Sequence, residues 1–355
     1  MAWGGMATLL ALAAGLCGIS GCTSLGYLGQ SVGGHLELMR LAKPVDVWLE
    51  DPTTAAPLKR KLALSQRMRQ FAVRELHLPD NRSYTRYADI GRSAVVWNVV
   101  ATPELSLQLK TWCFPVMGCV GYRGYFDKAN ADAMAASLRE QGLEVDVYGV
   151  PAYSTLGWTN WLGGDPLLST FMQWPDAEVA RLVFHELAHQ VAYASDDTAF
   201  NESFAVAVER IGGTRWLAIE GDASSLRQFE AVQIRREDFR ALTTRTRAAL
   251  VALYAGPLPP DEKRRRKDEL FAQMRADYAR IKAERWGGYT GYDAFMARAN
   301  NASLAVQGAY NDLVPDFERL FERTGRDFVA FYREVQRLAA LPKAERHATL
   351  RAAAP

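Results

Sequence analysis

The first half of the chain mixes two spacings of hydrophobic residues. From Pro57 to Leu78, apolar side chains recur at helical spacing among Lys and Arg, which predicts an amphipathic helix with a basic outer face. β-Branched and aromatic residues over 93–112, interrupted at Pro103, predict two strands. A helix is predicted from Asp127 to Gly142, followed by an alternating strand over 144–150. This order favours a small mixed sheet with helices packed against it.

The second half is helical almost throughout. One helix begins at Pro175, and a second is capped by Asp197 and is expected to end at the glycine pair 212–213. Two long, charge-rich helices between 224 and 286 form a predicted hairpin, and a last helical block runs from 292 to about 341. The predicted fold class is therefore α+β, with a small N-terminal mixed sheet and a mainly helical C-terminal half.

The first 22 residues differ from the rest. An apolar run over 7–16 is too short for a permanent transmembrane helix, and small residues follow it up to Cys22. The sequence "ISGC" (Ile19 to Cys22) resembles the lipobox of bacterial lipoproteins, which implies removal of a signal peptide, residues 1–21, and acylation of Cys22. No Lys or Arg precedes the apolar run, and a plain signal peptide or an N-terminal helix with an incidental cysteine is the alternative.

The lipobox resemblance sets expectations for location and domain organisation. Thr23 rather than Asp follows the cysteine, which favours lipid anchoring at the outer membrane of the cell envelope, facing the periplasm. Residues 22–45, which begin with a Gly- and Ser-rich stretch, are expected to form the anchor and a tether. Residues 46–174 form the predicted mixed α/β part and residues 175–355 the helical part, and together they make one catalytic unit.

Cysteine usage and net charge narrow the possible partners. Cys113 and Cys119 are close in sequence, which in an oxidising compartment predicts a disulfide, while half of a soft metal site is the alternative. The 42 basic and 40 acidic residues give a net charge of +2, too little to attract nucleic acid. A peptide or small-molecule partner is favoured, with the membrane contacted through the lipid.

The strongest chemical signal is the pattern H-E-x-x-H formed by His185, Glu186 and His189. Residues four apart lie on one face of a helix, so both imidazoles can reach a single zinc ion about 2 Å from each nitrogen. Glu186 then lies beside the ion, where it can take a proton from a zinc-bound water as general base. The uncharged neighbours suit a helix buried behind a metal, and two histidines spaced by coincidence are the alternative.

A catalytic zinc ion needs a third protein ligand and one open position. Glu202, in "NESFA" on the next helix, is the best candidate, because Asp196 and Asp197 precede a helix and suit capping. The remaining histidines lie far from the motif in sequence: His35, His77 and His347. The arrangement resembles that of gluzincins, whose third ligand is a glutamate one helix downstream, although the gap here is shorter.

Other residues are candidates for supporting roles. Glu209, two turns beyond Glu202, is a candidate partner for a ligand histidine or a substrate amine. Hydrolysis also needs a donor to the developing oxyanion, and the candidate tyrosines are Tyr122, Tyr125, Tyr153 and Tyr310. Tyr310 is preferred because its late position is similar to that of downstream residues in other gluzincins. Arg123 could bind a substrate carboxylate, although for each of these residues a packing or surface role is the alternative.

Taken together, several segments are similar to a bacterial family of predicted zinc aminopeptidases, largely lipoproteins of Gram-negative bacteria. The segments are the lipobox, "CFPVMGCVGYRGYF", "AYSTLGW", "DPLLST", "HELAHQ", "NESFA", and "NNASLAVQGAY" with "VPDFERL". The resemblance implies a zincin-like metallopeptidase with one zinc ion that hydrolyses peptides, preferably from the amino end. An envelope endopeptidase, or a lipoprotein binding or assembly module without catalysis, is the alternative.

Overall fold

Small β-sheets lie among many helices in the computed structural model, which describes residues 21–114, 118–152, 163–195 and 197–352. The helices are α1 (Gly21–Leu41), α2 (Val45–Glu50), α3 (Ala56–Leu76), α4 (Lys128–Glu140), α5 (Asp176–Ala188), α6 (Thr198–Glu220), α7 (Ala223–Ala255), α8 (Pro260–Glu284), α9 (Asp293–Arg298), α10 (Asn301–Asn311), α11 (Val314–Arg323), α12 (Phe328–Ala339) and α13 (Lys343–Ala352). The strands are β1 (Lys43–Pro44), β2 (Arg86–Ala88), β3 (Val96–Pro103), β4 (Trp112–Phe114), β5 (Gly118–Val120), β6 (Arg123–Tyr125), β7 (Leu143–Val150) and β8 (Leu167–Leu168). The fold is α+β and mainly helical.

Strand β3 is the centre of a three-stranded antiparallel sheet, with β6 and β7 at its sides. Side chains alternate between the two faces of a strand. Val99 and Ala101 pack against α4 on one face, whereas Val100 packs against Ala302 and Val306 of α10 on the other. A second sheet pairs β2 antiparallel with β1 and parallel with β8, and β4 and β5 form a separate hairpin. The small sheets with helices against them agree with the predicted fold class.

One of the two strands predicted over 93–112 forms as expected, and the other does not. β3 ends at the predicted break, where Pro103 is still paired with Leu143. Beyond it the chain turns back, because the Ser106 N–H donates to Pro103 O at 3.2 Å and the Lys110 N–H donates to Ala101 O at 2.8 Å. The second predicted strand is wrong, because these local hydrogen bonds use backbone donors that strand pairing would need.

The predicted tether is helical in the structure. α1 covers most of residues 22–45, and its later turns pack on the rest of the protein. Leu38 lies in the main core, and the Gln30 side chain accepts a hydrogen bond from the Phe126 N–H at 3.1 Å. A Cβ on Gly34 would overlap the ring of Phe126. The glycine at position 34 therefore permits close packing, while the anchoring role expected of residues 22–45 stays a prediction.

Helix α6 does not end at the glycine pair, as the sequence predicted, but continues to Glu220. A Cβ on Gly212 would lie 2.6 Å from Leu76 Cδ1, and a Cβ on Gly213 would lie 2.6 Å from Arg181 Cγ. Both distances are too short for a real contact, so glycine is needed where α6 crosses α3 and α5. The predicted helix end is wrong because glycine also occurs inside helices where two helices approach closely.

The main hydrophobic core joins α3, α5 and α6 to α11 and α12. Its centre is aromatic, because the ring of Phe204 in α6 lies 5.7 Å from that of Phe317 and 5.8 Å from that of Phe331. All three side chains are fully buried. Since each buried phenylalanine contributes about 1.5–3 kcal/mol to the free energy of unfolding, this cluster fixes α6 firmly in the fold.

The predicted helical hairpin is present as α7 and α8. It has a small core of its own, in which Phe239 stacks on Tyr292 with ring centroids 4.1 Å apart. The predicted amphipathic helix is α3, and the last helical block is divided into α9 to α12, followed by α13. Within the described residues, none of the helices combines the length and the hydropathy needed to cross a membrane.

Candidate metal centre

The H-E-x-x-H motif lies at the C-terminal end of α5. Asp176 and Glu178 in the first turn suit the positive end of the helix dipole. Buried apolar side chains such as Phe184 fix the helix on the main core. His185 is 9% exposed and His189 is 7% exposed, so both imidazoles face the interior. The helix therefore presents two imidazoles to α6 rather than to solvent.

The short connection between α5 and α6 is held by Asn201. Its side-chain oxygen accepts from the Ala194 N–H and its amide donates to Ala194 O, both at 2.8 Å. Asp197 caps α6, as predicted, by accepting from the Phe200 N–H at 3.3 Å. Because Glu202 directly follows Asn201, this clamp sets the position of the Glu202 carboxylate against α5.

Three donor atoms converge between α5 and α6. The Nε2 atoms of His185 and His189 are 3.3 Å apart, and Glu202 Oε2 lies 3.4 Å from the first and 3.7 Å from the second. All three ligand atoms lie within 4.8 Å of one another, and the group could hold a metal ion. The structure thus brings together the three residues that the sequence singled out, despite the short connection. We call this set the His-His-Glu group.

The His-His-Glu group stabilises positive charge. Burial lowers the pKa of His185, but hydrogen bonds with Glu202 and Glu209 outweigh burial and hold this pKa well above its ordinary value. Burial raises the pKa of Glu202, yet the neighbouring charges of His189 and His185 outweigh it and lower the pKa to about 2. A cation placed among these side chains would therefore meet a carboxylate that is already ionised.

Glu209 contacts His185 from the other side of the imidazole. Its Oε2 lies 3.0 Å from His185 Nδ1, and its Oε1 accepts from Arg181 Nη2 at 2.5 Å. Arg181 is 4% exposed, and it also donates to Gln233 of α7 at 3.2 Å. An ionised carboxylate can only accept, so Nδ1 carries a proton, and Nε2, which faces Glu202, is the nitrogen left to bind a metal ion once the ion displaces its proton. The contact of Glu209 with His185 matches the first of its two predicted roles, a hydrogen-bond partner for a histidine.

The second imidazole is held differently. The Nδ1 atom of His189 is buried and has no hydrogen-bond partner among the described residues. The adjacent Gln190 accepts from Asn81 Nδ2 at 2.7 Å and donates to Ser83 Oγ at 3.2 Å. His185 is therefore oriented by a charged network, whereas His189 is oriented by the packing of its helix end.

Glu186 is partly buried beside the His-His-Glu group. Burial raises its pKa above the ordinary value, the charges of His185 and His189 oppose that change, and Glu202 reinforces it. A carboxyl group whose pKa is moved towards neutrality exchanges protons more effectively at neutral pH. The direction of this change suits the general base that the sequence predicted.

Tyr122 is the candidate tyrosine whose surroundings include a predicted metal ligand. Burial raises its pKa well above the ordinary value, and the negative charge of Glu202 raises it further. Like Tyr148 of β7, Tyr122 packs against the cluster of Val100, Ala302 and Val306. Tyr122 thus lies on the face of the β3 sheet that is turned towards α10.

Arg123 and Tyr125 lie on the opposite face of that sheet, in the cluster against α4. Arg123 is paired with Val99, and its guanidinium lies 4.3 Å from the centre of the Tyr27 ring. Tyr125 is buried in the same cluster. This position does not support the predicted contact of Arg123 with a substrate carboxylate, or an oxyanion role for Tyr125.

The C-terminal helix fastens the start of α6, which the sequence did not indicate. Arg346 Nη1 donates to Asp197 Oδ2 at 2.5 Å, and His347 Nε2 lies 2.8 Å from the same oxygen. These partners are about 150 positions away along the chain, so no local pattern could reveal them. For Arg181 a signal existed, because it is a charged side chain one turn before His185 on a largely apolar helix.

The predicted cysteine pair lies in the hairpin of β4 and β5. Cys113 and Cys119 are directly opposite in the register, and their sulfur atoms are within disulfide-bonding distance.

Some residues with predicted roles are not among those that the structure describes. They are residues 1–20 of the predicted signal peptide, Tyr153 and Asp196. The side chains of Cys22 and Tyr310 lie outside the described part as well, so the roles predicted for them stay predictions.

Comparison with known proteins identifies one family. A sequence model of the family described as "Putative aminopeptidase" matches residues 26–350, which includes every residue of the His-His-Glu group. No curated protein and no solved structure matches the chain. The match covers most of the chain, and the geometry of the His-His-Glu group adds a place that could hold a metal ion.

Proposed function

Because the chain belongs to the putative aminopeptidase family, we propose that it is a zinc-dependent peptidase whose ion is held by His185, His189 and Glu202. The observation that carries the proposal is the spacing of the ligand atoms. Ligands about 2 Å from a tetrahedral zinc ion lie about 3.3 Å from one another. The three separations in the His-His-Glu group are 3.3, 3.4 and 3.7 Å, which fits that geometry with little rearrangement.

The proposed reaction is hydrolysis of a peptide bond. Zinc supplies a Lewis acid that lowers the pKa of water and polarises a carbonyl group. Glu186 accepts the proton of the attacking water and then donates it to the leaving amine, a role favoured by its raised pKa. Glu209 holds the proton on His185 Nδ1, so that Nε2 stays available as a ligand. A tyrosine hydroxyl stabilises the oxyanion, and Tyr122 is favoured by its place near Glu202, with Tyr310 as the second candidate.

The proposed substrates are peptides with a free amino terminus. This preference is supported by the family description rather than by a particular side chain. An endopeptidase with the same His-His-Glu group would use the same chemistry without binding a free amine. Peptides with and without an N-terminal acetyl group therefore distinguish the two activities.

The proposed location is the cell envelope, with a lipid on Cys22. The support is the lipobox-like sequence "ISGC" over residues 19–22. Expression of the full chain and of Cys22→Ser in a Gram-negative host tests this proposal. Acylated wild-type protein in the membrane fraction, and unacylated variant outside it, are the expected results. An unacylated wild-type protein would contradict the anchor without affecting the peptidase proposal.

The decisive experiment compares purified wild type with Glu186→Gln. Zinc content is measured first, and then the hydrolysis of acetylated and free peptides. We expect about one zinc ion per chain in both proteins, and a kcat that is about 10²- to 10⁴-fold lower in the variant. Glu220→Gln, at the exposed end of α6, is the matched control and should keep full activity. A zinc-loaded Glu186→Gln protein with wild-type kcat would overturn the mechanism.

A further inference from the structure

Tyr84 has an unusual backbone for its side chain. Its φ angle is +64°, in the left-handed region that residues with a bulky side chain rarely adopt. The residue is 2% exposed, so the strained backbone is not at a free surface turn. A conformation of this kind persists only where the surrounding structure enforces it, and such residues cluster at functional sites.

The surroundings of Tyr84 do enforce this conformation. The Tyr84 N–H donates to Asp165 O at 2.7 Å, and the Tyr84 carbonyl accepts from Gln66 Nε2 at 3.0 Å. Gly164, at φ +69°, packs so closely that a Cβ on it would overlap the backbone of Ser83. The backbone of Tyr84 is therefore fixed from two sides.

The Tyr84 hydroxyl is buried without a hydrogen-bond partner among the described residues. A buried hydroxyl in that state is costly, and a residue that did nothing else would be better replaced by phenylalanine. Yet the fold holds this hydroxyl in place through a strained backbone. The combination indicates that the hydroxyl serves something other than the stability of the protein.

The segment that carries Tyr84 lies against the end of α5 that carries Glu186. Gln190, in the turn that follows α5, is hydrogen-bonded to Asn81 and Ser83, at 2.7 and 3.2 Å. Residues 81–84 therefore approach the C-terminal end of α5, where Glu186 lies. Burial raises the pKa of Tyr84 well above its ordinary value, and the charge of Glu186 raises it further. The hydroxyl therefore keeps its proton and can act as a donor to a carboxylate.

We propose that Tyr84 is a positioning residue for Glu186, whose carboxylate accepts a hydrogen bond from the Tyr84 hydroxyl in the active enzyme. This proposal rests on the proposed peptidase function, since Glu186 is the general base there. A carboxylate held by one donor presents its other oxygen to the attacking water in a fixed direction. Tyr84 acts through Glu186, so its removal should slow the reaction without changing substrate or metal binding.

The test is Tyr84→Phe in the full-length, zinc-loaded protein, with Tyr332→Phe as the matched control. Tyr332 is also a buried tyrosine, but its hydroxyl donates to Leu76 O at 2.8 Å. We expect Tyr84→Phe to lower kcat about 10- to 100-fold, with unchanged KM, unchanged zinc content and a Tm no lower than that of wild type. We expect Tyr332→Phe to lower Tm because it loses a hydrogen bond, and to keep the wild-type kcat.

Three results would overturn the proposal, and they are distinguishable. If wild type hydrolyses peptides and Glu186→Gln does not, but Tyr84→Phe has the wild-type kcat, the role of Tyr84 is wrong and the peptidase function stands. A Tyr84→Phe protein that loses zinc or Tm in parallel with kcat would likewise show a structural role. If zinc-loaded wild type hydrolyses no peptide, the peptidase function fails and the role of Tyr84 fails with it.

Discussion

Two regions of α6 approach the same imidazole with the same chemical group, yet in different surroundings. Glu202 lies near His185 Nε2 and His189 Nε2, whereas Glu209 lies at His185 Nδ1. For both carboxylates burial raises the pKa, and nearby cations outweigh burial and lower it to about 2. For Glu209 the leading cation is Arg181, which is permanently charged, and for Glu202 the cations are imidazoles.

Only one of the two carboxylates has a permanently charged partner in the fold. A buried charge needs a partner, and the Arg181 guanidinium provides one for Glu209 in every state of the protein. Glu202 has the imidazoles of His185 and His189, which carry charge only when they are protonated. The region around Glu209 is therefore complete, whereas the region around Glu202 is suited to an added cation.

The largest expected effect comes from removing the carboxylate that faces the imidazoles. Glu202→Gln should weaken zinc binding by more than about 100-fold, which exceeds the usual cost of losing a hydrogen-bond partner of a ligand. Peptidase activity should disappear with the metal. Zinc affinity measured by competition with a chromogenic chelator checks this prediction. A variant that binds zinc as tightly as wild type would remove Glu202 from the ligand set and make the two regions equivalent.

The second prediction concerns Glu209, on the other side of His185. Compared with Glu202→Gln, we expect Glu209→Gln to lose less zinc affinity and more stability. Glu209→Gln should weaken zinc binding by about 10- to 100-fold. It should also lower the free energy of unfolding of the metal-free protein by up to about 3 kcal/mol, because Arg181 loses its closest carboxylate. Urea unfolding in the presence of a chelator measures the second effect. Equal stability of the variant and wild type would show that Gln233 and Glu178 suffice as partners of Arg181.

How far the sequence predicted this site depends on whether a residue acts locally. The H-E-x-x-H spacing and the capping of α6 by Asp197 are properties of one helix turn, so the sequence was sufficient for both. Glu202 was predicted because it lies on the next helix. The partnership of Arg181 with Glu209 depends on how two helices cross, and no spacing along the chain encodes that crossing.

The errors in the predicted fold have the same origin. Glycine at Gly212 and Gly213 suggested a helix end, because glycine is common there. In the structure, Gly34, Gly212 and Gly213 each lie where another part of the chain approaches closely. The prediction of a second strand after Pro103 was wrong because the backbone N–H groups of Ser106 and Lys110 donate to Pro103 and Ala101. These hydrogen bonds depend on the path of the chain, which the sequence pattern does not show.

In the metal-free protein, the stabilising effects of Glu202 and Glu209 should depend differently on pH. The folded-state pKa of Glu209 is about 2 against an ordinary 4.5, so its stabilisation is present above about pH 4.5 and is lost as the pH falls towards 2. Most of it persists at alkaline pH because Arg181, the leading cation, keeps its charge, whereas the smaller part that comes from His185 is lost. The cost of Glu209→Gln, about 3 kcal/mol at neutral pH by this linkage, should therefore shrink less between about pH 6 and 9 than the cost of Glu202→Gln.

The stabilisation by Glu202 should have an alkaline limit as well. The pKa of His185 is raised above 6.5 in the folded protein, so its contribution is full below about pH 6.5 and is lost as the pH rises through the folded-state value. The cost of Glu202→Gln in the metal-free protein should therefore shrink at alkaline pH. Urea unfolding at a series of pH values measures both variants. Parallel pH profiles for the two variants would contradict the distinction between a permanent and a conditional cation.

The smallest expected effect comes from the glycine that gives Arg181 its space. The Cβ introduced by Gly213→Ala would lie 2.6 Å from Arg181 Cγ. This distance is too short for a contact, so the arginine side chain must move. We expect the free energy of unfolding to fall by about 1–2 kcal/mol, because crowding outweighs the gain in helix propensity. We also expect weaker zinc binding, because a displaced Arg181 draws Glu209 away from His185.

Gly33→Ala in α1 is the control for Gly213→Ala, since a Cβ there has no neighbour within 4 Å. It should raise the free energy of unfolding by up to about 1 kcal/mol and leave zinc affinity unchanged. The informative quantity is the ratio of the two effects of Gly213→Ala. If stability falls and zinc affinity does not, then Arg181 only supports the fold. If both fall together, then Arg181 controls the position of His185 through Glu209. In that case the ion pair of Arg181 with Glu209 determines the geometry of the His-His-Glu group.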